Sequence, residues 1–147
     1  MNKKKLINFI LIFLLTFICN GWIVNQKNFF YQDDIGHLIA VDSYHYLDLL
    51  NLLPKMLYND RPIGILIIKI LKNFFHHNYV LFHLIYLFFH FLNGILVYFF
   101  THQILKKLGK RLISEDNIEK ISFFSAVTFS CWPKSVFAPQ WIAAVFD

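Results

Sequence analysis

Residues 79–111 read YVLFHLIYLFFHFLNGILVYFFTHQILKKLGKR, a long apolar run followed at once by a basic cluster. A helix that crosses a bilayer needs about 20 predominantly apolar residues, and the part from 79 to 105 exceeds that length. The positive-inside rule assigns basic residues beside such a span to the cytoplasmic side. This stretch therefore predicts a membrane-spanning helix that ends in the cytoplasm.

The composition of the whole chain supports the same class. Of 147 residues, 57% are hydrophobic, 19% are aromatic and only 16% are charged, and the mean hydropathy is +0.50. This apolar content exceeds what a soluble core of that size can bury. The net charge of +5 comes from short lysine clusters beside apolar runs, which indicates membrane anchoring rather than nucleic-acid binding. We predict an all-α, polytopic helical membrane protein that contacts membrane lipids and no nucleic acid.

Two further spans are predicted. The first covers about residues 6–24 and follows three lysines, which predicts a cytoplasmic N-terminus in a multi-pass protein of the plasma (inner) membrane. A cleaved signal peptide is the rival interpretation, but no small-residue cleavage site precedes Cys19. The other span covers about residues 121–133. A new apolar element starts at 136–147, which suggests a single partial transmembrane domain belonging to a longer protein.

The cysteines of the chain, Cys19 and Cys131, both fall in apolar segments. A buried thiol there behaves as a small hydrophobe. No disulfide framework is indicated.

The loop 25–78 is predicted to lie outside and to carry two interfacial helices. Over about 35–53, polar and apolar residues alternate with a helical period, and Pro54 ends the pattern. An ordinary half-buried surface helix is the alternative there. The segment 62–75 is apolar but short for a span and contains Lys69 and Lys72, so an interfacial or re-entrant helix is favoured over a third crossing.

An acidic pair, Asp33-Asp34, follows the first span. A carboxylate on this side can act as the base that deprotonates an acceptor hydroxyl, and mutual repulsion raises the proton affinity of one member of a pair. Taken alone, adjacent acids at the start of a helix are more often N-caps. Both roles remain open.

Polar residues also form a stripe on the span 79–105. His83, Tyr86, His90 and Asn93 follow steps of three, four and three, so they share one helix face. Within a membrane such a face lines a protein interior or a watery cavity and is a candidate for function, and helix packing is the alternative. Metal ligation by the two histidines is disfavoured because they stand about 10 Å apart along the axis. Arg61, before Pro62, is suited to bind a phosphate or a lipid headgroup.

These motifs, in this order, resemble the N-terminal part of the GT-C-type glycosyltransferases, especially the protein O-mannosyltransferases and the transmembrane and tetratricopeptide-repeat O-mannosyltransferases. The resemblance rests on Asp33-Asp34, Arg61-Pro62 and the histidine and asparagine span, followed by Pro133, Trp141 and Asp147. The chain departs from the pattern at Trp132, Phe137 and Tyr86, where histidine, glutamate and asparagine are usual.

The resemblance implies transfer of a sugar, with inversion, from a polyprenyl-phosphate-linked donor to an unidentified acceptor on the outer face. Asp33 would be the base, Asp34 its helper or a cap, and Arg61 a phosphate contact, with His83, His90 and Asn93 on the substrate side. No cofactor is indicated; many members need no metal, whereas some related oligosaccharyltransferases use a divalent metal. The alternative is a non-enzymatic membrane protein, either part of a transporter or flippase or an inactive remnant.

Overall fold

The computed structural model describes residues 3–25, 36, 38–43, 45–47, 62–76, 78–108 and 113–132. About 93% of these residues are helical and none of them lies in a β-strand, which confirms the all-α class. The helices are α1 (Lys3–Asn20), α2 (Trp22–Asn25), α3 (Pro62–Phe75), α4 (Tyr79–Leu108) and α5 (Glu115–Cys131), with a 3-10 turn at Val41–Ser43.

Within the described part of the chain, α4 is the one helix long and apolar enough to cross a membrane. Helix α1 is shorter and begins with three lysines. Helix α5 begins with the sequence EDNIEK, so its apolar part starts only at Ile121. Membrane crossing by α1 and α5 therefore remains a prediction.

The break between α1 and α2 is located at Gly21. The Gly21 amide still donates to the Phe17 carbonyl at 2.7 Å, but the chain turns so tightly that a Cβ at position 21 would lie 2.3 Å from that oxygen. Glycine avoids this clash because it has no Cβ. The predicted span 6–24 is therefore divided into two helices.

The turn between α3 and α4 is closed by local hydrogen bonds. His76 adopts a positive φ of 53° and its amide donates to the Lys72 carbonyl at 2.7 Å, which is a left-handed C-terminal cap. Asn78 then accepts from the Leu81 amide with both its backbone oxygen, at 3.1 Å, and its side-chain oxygen, at 3.4 Å. These caps fix where one helix ends and the next begins.

Two apolar clusters form the core. The first joins the segment 38–43, helix α3 and the first half of α4, and its fully buried members include Val41, Ile68 and Phe82. The second joins α1, the second half of α4 and α5 around Ile12, Tyr98 and Ala126. Helices α1, α4 and α5 thus pack as a three-helix bundle, with α3 against the start of α4.

Lysines of α3 attach the segment 38–43 to that helix. Lys72 donates to the Leu38 carbonyl at 2.6 Å and pairs with Asp42 at 2.7 Å, while Lys69 donates to the Val41 carbonyl at 2.7 Å. Cations near the carbonyl end of a helical segment stabilise it. One continuous helix is predicted over 35–53. Among the residues described there, Val41–Ser43 form a 3-10 turn and His45 is not helical.

Candidate functional site

Three of the predicted site residues, Asp33, Asp34 and Arg61, lie outside the residues that the structure describes. Their roles as base, helper and phosphate ligand stay predictions. Two neighbouring elements are described: α2 ends at Asn25, before the acidic pair, and α3 starts at Pro62, immediately after the arginine. The remaining site residues all lie on α4.

The stripe predicted on α4 is buried at three of its four positions. His83 and His90 are each 4% exposed and Tyr86 is 3% exposed, whereas Asn93 is exposed. The His83 ring contacts the Tyr79 ring edge-on with centroids 6.4 Å apart. The structure therefore separates Asn93 from the buried histidines and places it on the exposed face of α4.

His90 belongs to a cluster of polar groups at one end of the bundle. Its Nε2–H donates to the Ser130 carbonyl of α5 at 3.1 Å, and the Asn20 side-chain amide of α1 donates to the same oxygen at 2.9 Å. Asn20 also donates to the Thr16 carbonyl at 2.9 Å. We call His90, Asn20 and Ser130 the outer cluster; it joins three helices through one acceptor.

Close packing at the outer cluster depends on Gly94. A Cβ at this position would lie 2.4 Å from the Ser130 Oγ and 3.4 Å from a methyl carbon of Ile12. A small residue lets neighbouring helices approach closely, as is common in membrane helix pairs. Gly94 therefore brings α4, α5 and α1 close enough for the shared hydrogen bonds.

A second set of polar side chains meets at the other end of the bundle. Glu119 of α5 is only 8% exposed and accepts a 2.6 Å hydrogen bond from the Tyr98 hydroxyl of α4. His102 of α4 lies 3.6 Å from its other carboxylate oxygen, and the Asn8 side-chain amide of α1 donates at 3.5 Å. We call these four residues the inner cluster.

The sequence interpretation missed the inner cluster. Its α4 members continue the buried face in steps of four, from Tyr86 through His90 and Gly94 to Tyr98 and His102. A carboxylate at position 119 also recurs at helical spacing with Glu115. These spacings were visible in the sequence, but nothing in it related α4 to α5.

Ion pairs lie beside the inner cluster at the ends of the helices. Asp116 pairs with Lys4 of α1 and, at 2.6 Å, with Lys120, and Lys106 lies 3.4 Å from Glu115. Hydrogen bonds from Lys120 and then Lys4 lower the pKa of the Asp116 carboxyl to about 2. The same contact with Asp116 raises the pKa of Lys4. The start of α1, the end of α4 and the start of α5 are therefore neighbours.

The described side chains include no group of three or more histidines, cysteines or acids able to hold a metal ion. An open hollow of about 510 Å³ lies on the outer surface of α4 and is lined by Leu96, Val97, Phe99, Phe100 and Gln103. It is almost wholly apolar and contains none of the predicted site residues. Neither feature adds a catalytic group to the predicted site.

Comparison with known proteins returns no relative: no family model, no curated protein and no solved structure matches this chain.

Proposed function

We propose that this chain forms the membrane-embedded N-terminal unit of a glycosyltransferase that takes its sugar from a polyprenyl-phosphate carrier. The observation that carries the proposal is the direction of the three packed helices. Lys4, Lys106 and Asp116 lie together at one end, and Asn20, His90 and Ser130 lie together at the other. Helix α4 is therefore antiparallel to both α1 and α5.

This arrangement has a consequence for the loop 25–78. The loop leaves α1 and enters α4 at the end opposite the lysines. If the lysine end faces the cytoplasm, the acidic pair and Arg61 face outward, where a carrier-linked sugar is presented. The directions of the helices thus support the side of the membrane that the predicted site requires.

The distribution of side chains supports a membrane setting for the bundle. Polar groups such as Glu119, Asn20 and His90 are interior, while large apolar side chains of the same helices are exposed: Ile18 at 74%, Phe100 at 69% and Phe124 at 65%. Water-soluble proteins rarely expose large contiguous apolar surfaces. In a bilayer the same surface faces lipid tails, and the polar groups lie in the protein interior away from lipid.

Apolar exposure also supports an interfacial location for the outer loop. Phe74 of α3 is 76% exposed, and Ile39 and Leu47 of the preceding segment are 67% and 71% exposed. The opposite side of α3 is buried against α4 through Ile65 and Ile68. A helix with one face on the protein and apolar residues on another is suited to the headgroup boundary.

In the proposed reaction the Asp33 carboxylate takes the proton of the acceptor hydroxyl as its oxygen attacks the anomeric carbon of the donor. The bond from that carbon to the phosphate breaks on the opposite face, so the configuration inverts. Arg61 binds the departing polyprenyl phosphate through paired hydrogen bonds. Asp34 orients Asp33 or caps the following segment.

The test replaces Asp33 with Asn in membranes that carry the protein and measures the loss of label from a radiolabelled polyprenyl-phosphate hexose. Removing a general base is expected to slow transfer about 100-fold or more, whereas the matched control Asp42→Asn should stay within about twofold. Asp42 is an exposed acid of the same loop that pairs with Lys72. Undiminished transfer by Asp33→Asn would eliminate the base assignment.

One observation favours the non-enzymatic alternative. His90 and Asn20 already bind the Ser130 carbonyl, which accounts for them as helix-packing residues without a substrate. If the wild-type protein inserts and folds but consumes none of the carrier-linked hexose, while Asn20→Ala and His90→Ala lower its melting temperature, the chain is a packing or transport unit rather than a transferase.

A further inference from the structure

Two cysteines far apart in sequence meet where α1 and α5 end. The Cys131 thiol lies 3.8 Å from the Leu15 carbonyl oxygen of α1. In an α-helix that carbonyl accepts from the amide four residues later, which is the amide of Cys19. Cys19 and Cys131 therefore lie on facing turns of α1 and α5.

The residues next to the cysteines hold this arrangement in place. Asn20 and Ser130 are both fully buried, and the 2.9 Å bond from the Asn20 amide to the Ser130 carbonyl joins the same two helix turns. Cys19 and Cys131 themselves are half-buried free thiols. The pair is thus held together by its neighbours and remains accessible to a reagent.

We propose that Cys19 and Cys131 form an intramolecular disulfide that links α1 to α5. One thiolate attacks a disulfide donor, either a protein disulfide oxidoreductase or a small disulfide, and forms a mixed disulfide while the donor releases one thiolate. The second cysteine thiolate then displaces the remaining donor sulfur. The chain loses two protons and two electrons, and the donor is reduced to two thiols.

The position of the pair gives the bond a role that rests on the proposed orientation. Both cysteines lie at the end of the bundle opposite the lysines, which is the outward side in that orientation, and disulfides persist in oxidising compartments outside the cytoplasm. Helix α1 continues through Gly21 and α2 toward the stretch that contains Asp33 and Asp34. The bond would clamp the helix that leads into the predicted site.

The test uses the full chain, purified in detergent, reduced, and then incubated with oxidised glutathione. Remaining thiols are counted by alkylation with a maleimide polymer, and intact mass is measured. We expect the wild type to lose both reactive thiols, to become lighter by two hydrogen atoms, to stay monomeric without reductant, and to yield a peptide in which positions 19 and 131 are joined. Cys19→Ser and Cys131→Ser should each retain one alkylatable thiol.

The matched control is the double variant Cys131→Ser, Phe124→Cys, which keeps two thiols but moves one to an exposed position on α5. It should form no intramolecular disulfide in the time that closes the wild-type pair. Helix content measured by circular dichroism shows whether this variant folds. If the variant does not fold, the presence or absence of the wild-type peptide that joins positions 19 and 131 decides whether the disulfide forms. The proposal would be overturned if both wild-type thiols stay alkylatable or if disulfides form only between chains. It would also be overturned if the control variant forms an intramolecular disulfide as fast as the wild type. No sugar donor is present, so this outcome is independent of the transferase assay.

Discussion

The most informative single residue in the bundle is Glu119, because a carboxylate in an apolar interior is costly unless it is hydrogen-bonded. Its partners come from both neighbouring helices: Tyr98 and His102 from α4, and Asn8 from α1. Removing the Tyr98 or the Asn8 donor leaves the buried Glu119 carboxylate less satisfied. The inner cluster therefore makes the packing of the three helices depend on specific side chains as well as on apolar contact.

Tyr98→Phe keeps the aromatic ring and removes the hydroxyl that donates to Glu119. We expect it to lower the free energy of unfolding by about 1–3 kcal/mol, because the Glu119 carboxylate loses its shortest hydrogen bond. Thermal unfolding in detergent, followed by circular dichroism, measures the change. The control is Tyr79→Phe, which removes a hydroxyl at the start of the same helix, outside the inner cluster.

A double-mutant cycle separates this interaction from general packing. In a Glu119→Gln background, Tyr98→Phe should cost clearly less than in the wild type, since the charged acceptor has gone. Equal costs in both backgrounds would mean that the hydroxyl stabilises the helix by some other contact.

The sequence predicted the buried face of α4 in part, and its limit has a geometric cause. At 100° per residue, Asn93 lies about 80° away from the direction of His83, whereas Gly94 lies about 20° away. A stripe defined only by polar residues therefore includes Asn93, which lies off the buried face. In the structure the buried face continues through Gly94 instead. Glycine carries no polarity signal, so its contact with Ser130 was not visible in the sequence.

At the scale of elements, the sequence predicted the boundaries of α3 but not the start of α5. Helix α3 covers Pro62–Phe75, the range expected from the proline and the end of the apolar run. Helix α5 instead begins at Glu115, before the apolar run, because the Ser114 hydroxyl accepts from the Asn117 amide at 3.3 Å and two acids occupy the first turn. Attention to apolar residues alone misses such a polar first turn.

That polar first turn also connects α5 to α1, and its charge state sets a pH dependence. Lys120, followed by Lys4, lowers the pKa of Asp116 from 3.8 to about 2. A carboxyl whose folded-state pKa lies below its unfolded value stabilises the fold above the unfolded pKa. This contribution is therefore complete above pH 3.8 and is lost as the pH falls toward 2.

Lys120→Gln should raise the pKa of Asp116 toward 3.8, because the largest cause of its depression is removed. The titration of the Asp116 carboxyl carbon, followed by NMR in detergent micelles, measures this directly. Lys107→Gln changes an exposed lysine at the end of α4 and serves as the control, with no change expected. An Asp116 pKa that is the same in Lys120→Gln and the wild type would show that this ion pair does not form in solution.

At the scale of the whole molecule, composition and lysine clusters predicted an all-helical chain, and the residues that the structure describes agree with it. Composition and lysine clusters could not predict which helices pack together, because contacts such as Asn20 with Ser130 and Asn8 with Glu119 join residues more than a hundred positions apart. The antiparallel order of α1, α4 and α5 nevertheless fits the count of crossings that the basic clusters imply. This antiparallel order is the one that the proposed topology requires.

That topology predicts that Ser43 and Lys107 face opposite sides of the membrane. Both positions are exposed, and in a background of Cys19→Ser with Cys131→Ser, the variants Ser43→Cys and Lys107→Cys each carry one thiol. In intact cells a membrane-impermeant maleimide should label Ser43→Cys and leave Lys107→Cys unlabelled until the membrane is permeabilised, because the proposed topology puts the lysine end in the cytoplasm. Labelling of both before permeabilisation would place the two helix ends on one side and exclude the alternating crossings of α1, α4 and α5. Labelling of Lys107→Cys alone would keep the crossings but reverse them, which moves the acidic pair into the cytoplasm, away from the outward side that the proposed transfer requires.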